Sequence, residues 1–191
     1  MTNPVTKRGF YPIGRLDGAP KYLTEMVYID GGVATAVFKG DLMKAVGDSV
    51  TTQKLRTADV MTAQSDDMLG SVLGLYNANG TPAKYLAAST AGYALICSDQ
   101  NAIYDVKTAD SGTPLTQVAI GDCADAIWDH AGDTATGIAG VELSETLAGA
   151  AASAQFKIKG IIEIENNDWG VADIRVQVYP VEHHYKKVNA I

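Results

Sequence analysis

The chain has 191 residues, of which 47% are hydrophobic and 19% charged, and it carries a formal net charge of −7. That balance excludes a disordered chain, and no run of about 18 apolar residues is present to make a membrane-spanning helix. The acidic surplus argues against nucleic acid as a partner, because binding to a phosphate backbone draws on clustered Lys and Arg.

A chain of this length can bury enough surface to fold as a single domain without a disulfide or metal staple. The start, Met1-Thr-Asn-Pro-Val-Thr-Lys-Arg8, lacks the apolar core of a secretory signal, so folding in a cytoplasm is expected. Cys97 and Cys123 have no close metal-ligand spacing, and in a reducing compartment they are expected to be buried free thiols.

Residues 1–24 differ from the rest. Lys7, Arg8, Arg15 and Lys21 stand against Asp17 alone, and Pro4, Pro12 and Pro20 alternate with Gly9, Gly14 and Gly18. Proline removes a backbone donor and glycine punctuates, so this stretch reads as an extended basic arm on an acidic body, followed by one β-rich domain over 25–191.

Within that domain, Met26 to Asp30 and Val33 to Lys39 flank Gly31-Gly32, the pattern of a strand, a turn and a second strand. Leu42 to Val46 and Ser49 to Leu55 flank Gly47-Asp48 in the same way, and Gly70 to Tyr76 runs into the turn-rich Asn77-Ala-Asn-Gly-Thr-Pro82. Further strands are expected at Tyr93 to Ser98 and Ala102 to Lys107. Toward the carboxy terminus Phe156 and Ile158 alternate with Lys157 and Lys159, and Ile174, Val176 and Val178 alternate with Asp173, Arg175 and Gln177. This period of two predicts a hairpin with one buried face, closed by Asn166 to Gly170. Short helices are expected over Thr113 to Ala126 and Ser144 to Ala154, where alanine and leucine recur. The whole predicts an all-β, jelly-roll-like sandwich or barrel with an extended N-terminal arm and one or two short helices.

Catalytic chemistry finds little to work with. There is no nucleophile elbow, no phosphate-binding Gly-Lys-Ser/Thr loop and no dinucleotide fingerprint. His183 and His184 are adjacent, so on an extended chain they point to opposite sides, and the pair reads as a polar tail. Asp122, Asp125, Asp129 and Asp133, with His130 nearby, do not have the spacing of a calcium loop and read as a solvated acidic loop. Glu163, Glu165 and Asp168 are candidates for hydrolase carboxylates, but same-face acids on a solvated strand are the pattern of surface charge. No catalytic residue, metal or cofactor is expected. Trp128, Trp169 and Tyr179, near loops, suit an alternative role as a carbohydrate-binding or adhesive module.

Gly9-Phe-Tyr-Pro-Ile-Gly-Arg-Leu-Asp-Gly-Ala-Pro20, then Val27-Tyr-Ile and Ala34-Thr-Ala-Val-Phe-Lys-Gly-Asp41, resemble the opening of head decoration (capsid cement) proteins of tailed bacteriophages. Tyr85 to Ile96 and Thr134 to Leu143 extend the likeness in the same order. Gly14 stands where the family usually has Arg, and Asp17 where it has Asn. The resemblance implies a β-rich virion protein on the capsid exterior, made in the bacterial cytoplasm, that clamps neighbouring major capsid protein subunits as a dimer or trimer and performs no catalysis. It also implies a capsid-binding arm comprising Arg8, Phe10, Tyr11, Pro12, Arg15, Leu16 and Tyr22, with aromatics as anchors and arginines pairing with acidic groups of the partner.

Overall fold

A computed structural model describes residues 8–47, 54–109, 113–150 and 154–186. Among the described residues twelve strands form two sheets. The first is an open antiparallel sheet in the order β1 (Tyr11–Arg15), β8 (Ala102–Lys107), β12 (Arg175–Pro180), β11 (Phe156–Ile161), β9 (Cys123–Ile127) and β10 (Glu142–Gly149). The second contains β3 (Leu42–Ala45), β4 (Thr57–Val60), β2 (Thr24–Ile29), β7 (Gly92–Cys97) and β5 (Met68–Asn77), with the two-residue β6 (Pro82–Ala83) added beside β5. Because β5 also pairs with β3, those five strands close into a barrel, mixed in direction through the parallel β2–β4 pair. Closure leaves the five barrel strands no free sheet edge along most of their length.

Strand alternation builds two cores from one sequence. In β5, Leu69, Val72 and Leu75 point into the barrel, where they meet Val27, Ile29, Met43, Val60 and Ile96. Met68 leaves the same strand on the opposite side and packs with Leu42, Met61 and Cys97 against Phe10, Tyr104, Phe156, Val176 and Val178 of the open sheet. The barrel is therefore filled by its own side chains, while its outer wall forms half of a second core beneath the open sheet. Gln155 links the layers: on the open-sheet side its side-chain oxygen accepts from the Ala126 amide at 3.0 Å and its backbone amide donates to Asp125, while on the barrel side its Nε2 donates to the Ala63 and Asp66 carbonyls at 3.5 and 3.4 Å.

The carboxy-terminal hairpin follows its alternation, with Ile158 opposite Val178 and Phe156, Ile158, Val176 and Val178 buried. The strands are shorter than the apolar pattern, and residues 162–174 form the connection. Cys97 and Cys123 are buried free thiols.

Three expectations change. Among the described residues there is no α-helix, only one 3-10 turn at Gln117–Ala119. The segment expected to be helical over Thr113 to Ala126 contains β9, whose Ala124 and Ala126 enter the core, and Gly121 there has a φ of +92°. Ser144 to Ala154 is largely β10, though residues 151–153 lie outside those described. In both places core burial along an extended chain outweighs the helix propensity of alanine, which is at most a few tenths of a kcal/mol per residue over its competitors.

The hairpin across Gly31-Gly32 also does not form. Both edges of β2 are occupied, by β4 and β7, so residues 33–39 make only isolated bridges such as Val37 with Leu86. Leu42 to Val46 does yield β3, but the strand expected over Ser49 to Leu55 lies mostly outside the described residues, and β3 pairs instead with β4.

Candidate functional site

The amino-terminal segment is anchored at one close approach. Gly9 (φ +64°) and Gly40 (φ +88°) lie against each other, and the Phe10 amide donates to the Gly40 carbonyl at 2.9 Å. A Cβ on Gly9 would sit 2.7 Å from that carbonyl oxygen, and one on Gly40 would sit 2.9 Å from the Arg8 carbonyl. Glycine is required at both for left-handed backbone as well as for space. This contact also brings together Gly9-Phe10 and Lys39-Gly40-Asp41, two stretches that are far apart in sequence.

From that anchor Phe10 turns inward. It is fully buried, with its ring centroid 4.5 Å from Phe156 and 6.2 Å from Tyr104 in an edge-on arrangement. The next five residues are β1, the outer strand of the open sheet, with Pro12 opposite Tyr104 and buried, and Tyr11 and Ile13 facing out. Proline suits an edge strand because its missing donor can lie on the unpaired side. Within the described part of the segment read as an arm with little regular structure, Phe10 is a core residue and Tyr11–Arg15 an edge strand.

The following loop is held by ion pairs within the chain. Arg15 Nε lies 3.0 Å from the fully buried Asp99 carboxylate, and its Nη2 lies 2.7 Å from Asp17. Its Nη1 donates to the Lys21 carbonyl at 3.1 Å, and Asp99 also accepts from the amides of Leu23 and Asn101. Tyr22 is half-buried against the core, and that burial, with Cys97 and Tyr11 nearby, raises its phenol above the ordinary range.

Arg8 behaves alike. Its guanidinium sits 2.9 Å from Asp105 and over the Tyr11 ring. Asp105 is also bound by Arg175. Further along the same face of β8, Lys107 joins Glu142 at 3.0 Å and Asp173 at 2.7 Å, and His130 meets the other Glu142 oxygen at 3.1 Å. Burial pulls the Lys107 ammonium down, but its bonds to Asp173 and Glu142 more than offset this and hold it above the ordinary lysine range. Removing one member would strand a buried charge, so these groups hold the sheet in place rather than wait for a ligand.

Of the seven residues assigned to the arm, then, Arg8 and Arg15 already have carboxylate partners inside the chain, and Phe10 and Pro12 are buried. Tyr11 and Leu16 remain exposed, at 52% and 42%, and Tyr22 is partly so. Sequence reasoning missed two neighbours, Ile13 at 46% and Leu23 at 61% exposed. The alternation of Pro12 with Tyr11 and Ile13 could have marked Ile13 as outward.

The other candidates do not converge. Glu163, Glu165 and Asp168 lie exposed in the connection between β11 and β12, and Trp169 packs on the core. Asp125 caps the Gln155 amide, and Asp133 accepts from Ala135 and Thr136. Among the described residues no group of three His, Cys, Asp or Glu side chains has metal-binding geometry. His183 is not part of a polar tail: it is fully buried beside Met68, and the desolvation lowers its imidazole to about 4, with Lys186 and His184 adding to the effect. Trp128 lines a pocket of about 470 Å³ with Thr62, Gln64 and Asp129. No helix among the described residues is long and apolar enough to cross a membrane.

Searches against models of known families and against curated proteins gave no match.

Proposed function

We propose that this protein is a capsid decoration protein, which binds the outer surface of a phage shell through its amino-terminal segment and stabilises contacts between major capsid protein subunits. The observation that carries the reading is that four large apolar side chains, Tyr11, Ile13, Leu16 and Leu23, stand exposed on a segment tied down by Phe10, Arg15 and Asp99. Exposed apolar groups on a pre-ordered segment suit binding, since little ordering entropy is lost on docking. The arginines contribute by fixing that surface from within, which replaces the direct pairing with a partner that the sequence suggests. Binding only the mature lattice would stabilise it by mass action without any chemistry, and repetition of the site in a dimer or trimer would multiply weak contacts. The acidic body suits the virion exterior, away from the packaged genome.

Purified protein added to undecorated capsids is expected to bind at fixed stoichiometry and raise their melting temperature, and the double variant Ile13→Asp, Leu16→Asp to lose binding while remaining folded. Failure of the intact protein to bind, or undiminished binding by the double variant, overturns the proposal.

A second reading, a carbohydrate-binding module, is favoured by the pocket of Trp128, Thr62, Gln64 and Asp129, since an aromatic with polar side chains around it is a composition that suits sugars. Glycan-array binding that Trp128→Ala abolishes would support it.

A further inference from the structure

Three of the four arginines in the chain are paired with carboxylates: Arg8 and Arg175 with Asp105, and Arg15 with Asp17 and Asp99. Arg56 has no carboxylate within ion-pair distance among the described residues. It is nevertheless held in place. Its carbonyl accepts from the Tyr28 amide at 2.9 Å, which fixes its backbone to β2 just before β4 begins. Its guanidinium carbon lies 5.6 Å from the centroid of the Tyr185 ring, and Tyr185 is fixed in turn by donating its hydroxyl to Glu25 at 3.1 Å. Nη1 lies 3.0 Å from Nε2 of His184. Arginine is always a donor, so Nε2 accepts and the neutral imidazole carries its proton on Nδ1. The His184 backbone is itself fastened, its amide donating to the Met68 carbonyl at 2.8 Å.

Arg56 and His184 line a pocket of about 420 Å³, and the other described residues of its wall are Ala45, Val46 and Gly47 at the end of β3. Among the described residues that wall carries no side-chain carboxylate to compete for the guanidinium. Glu25 bonds to the Tyr185 hydroxyl, beyond the ring on which Arg56 rests. With one N–H group engaged by His184 and one face over Tyr185, the fork of remaining N–H groups is the unused part of a guanidinium whose position is already set. In a chain with a net charge of −7, a pre-positioned cation without a counter-charge among the described residues is an exception to how the other arginines are used.

We propose that this pocket is an oxyanion-binding site, in which the Arg56 fork takes a carboxylate or a phosphate group. Planar two-oxygen groups match the guanidinium edge, and pre-positioning by Tyr185 and His184 reduces the side-chain entropy that binding would otherwise cost. The site is open to solvent, so a single oxyanion binds weakly. This inference stands apart from capsid attachment, because Arg56 belongs to the barrel and not to the Tyr11 to Leu23 surface.

The test is a titration of the isotopically labelled full chain with inorganic phosphate and, separately, with sodium acetate, at ionic strength held constant with chloride, following the Arg56 Nε–H and His184 ring resonances. Saturable shifts at both residues with at least one anion are expected, and the anion that saturates tells a phosphate site from a carboxylate site. Arg56→Gln should abolish saturation, and Arg56→Lys, which keeps the charge but loses the fork, should weaken it by about threefold or more. The side chain of Arg56 is exposed, so both variants should keep the wild-type amide spectrum elsewhere. Shifts that rise linearly with both anions in the wild-type protein, shifts unchanged in Arg56→Gln, or equal affinity in Arg56→Lys would overturn the proposal.

Discussion

Phe10→Ala decides whether the amino-terminal segment is an appendage or part of the core. The wild-type ring is fully buried between Phe156, at 4.5 Å, and Tyr104, at 6.2 Å. Truncating a buried phenylalanine costs about 3–5 kcal/mol, from lost transfer of apolar area plus the cavity left behind. The two aromatic contacts place Phe10 toward the upper part of that range, because aromatic pairs add about 0.5–1.5 kcal/mol beyond area alone. A loss of about 4 kcal/mol corresponds, for a domain of this size, to a fall in melting temperature of about 8–16 °C. Guanidinium denaturation followed by tryptophan fluorescence, with circular dichroism as a second probe, gives the free energy if the two transitions coincide. Tyr11→Ala, one residue along and half exposed, should lie within about 1 kcal/mol of wild type. If Phe10→Ala costs less than about 1 kcal/mol, Phe10 does not contribute to the core as the structure places it, and the segment is a detachable arm after all.

The remaining predictions concern charge and backbone. Asp41 is buried and accepts the Phe38 amide at 2.7 Å, and desolvation raises its carboxyl to about 7, whereas His183 is lowered to about 4. For Asp41 the folded chain holds the extra proton, so its contribution to stability falls as pH rises from about 4 to 7. For His183 the unfolded chain holds it, so stability falls as pH drops from about 6.5 to 4. Between about pH 4 and 6.5 the two slopes, each at most about 1.4 kcal/mol per pH unit, oppose one another. Denaturation at a series of pH values should therefore show Asp41→Asn gaining stability with rising pH over that window and His183→Gln losing it, and parallel profiles for the two variants would refute the assignment. Gly9→Ala meets both a positive φ and the Gly40 carbonyl and should cost about 2 kcal/mol or more, while Gly18→Ala, with φ +71° and open space around it, should cost only about 1 kcal/mol. Equal denaturation midpoints for the two variants would show that the Gly9–Gly40 approach relaxes freely.

Much of the architecture was legible because a strand with one buried face writes a period of two into its residues. Phe156, Ile158, Val176 and Val178 announce their hairpin, and the runs Tyr93 to Ser98 and Ala102 to Lys107 announce β7 and β8, though β8 proves buried on both faces. Alternation says which residues share a face, but not which strand lies alongside. The Gly31-Gly32 turn therefore suggested a hairpin that cannot form once β4 and β7 have taken both edges of β2. The apparent helices failed for a related reason: alanine favours a helix locally, yet Ala124 and Ala126 are small enough to pack a strand closely under a crowded core.

The amino-terminal segment shows the same division most sharply. Three prolines and three glycines in the first 20 residues leave few backbone donors and little helical propensity, so composition alone pointed to an extended course, which Tyr11–Arg15 takes as β1. Its basic charge was equally plain in the sequence. Only the tertiary structure decided what that charge faces, because Asp99 and Asp105 are about 80 to 100 residues away from Arg15 and Arg8 and meet them only when β1 docks beside β8. The same docking buries Phe10 and turns Tyr11 and Ile13 outward. Residue type fixed the available chemistry, while long-range pairing fixed which groups were consumed within the chain and which, like Tyr11, Ile13, Leu16 and Leu23, stayed exposed.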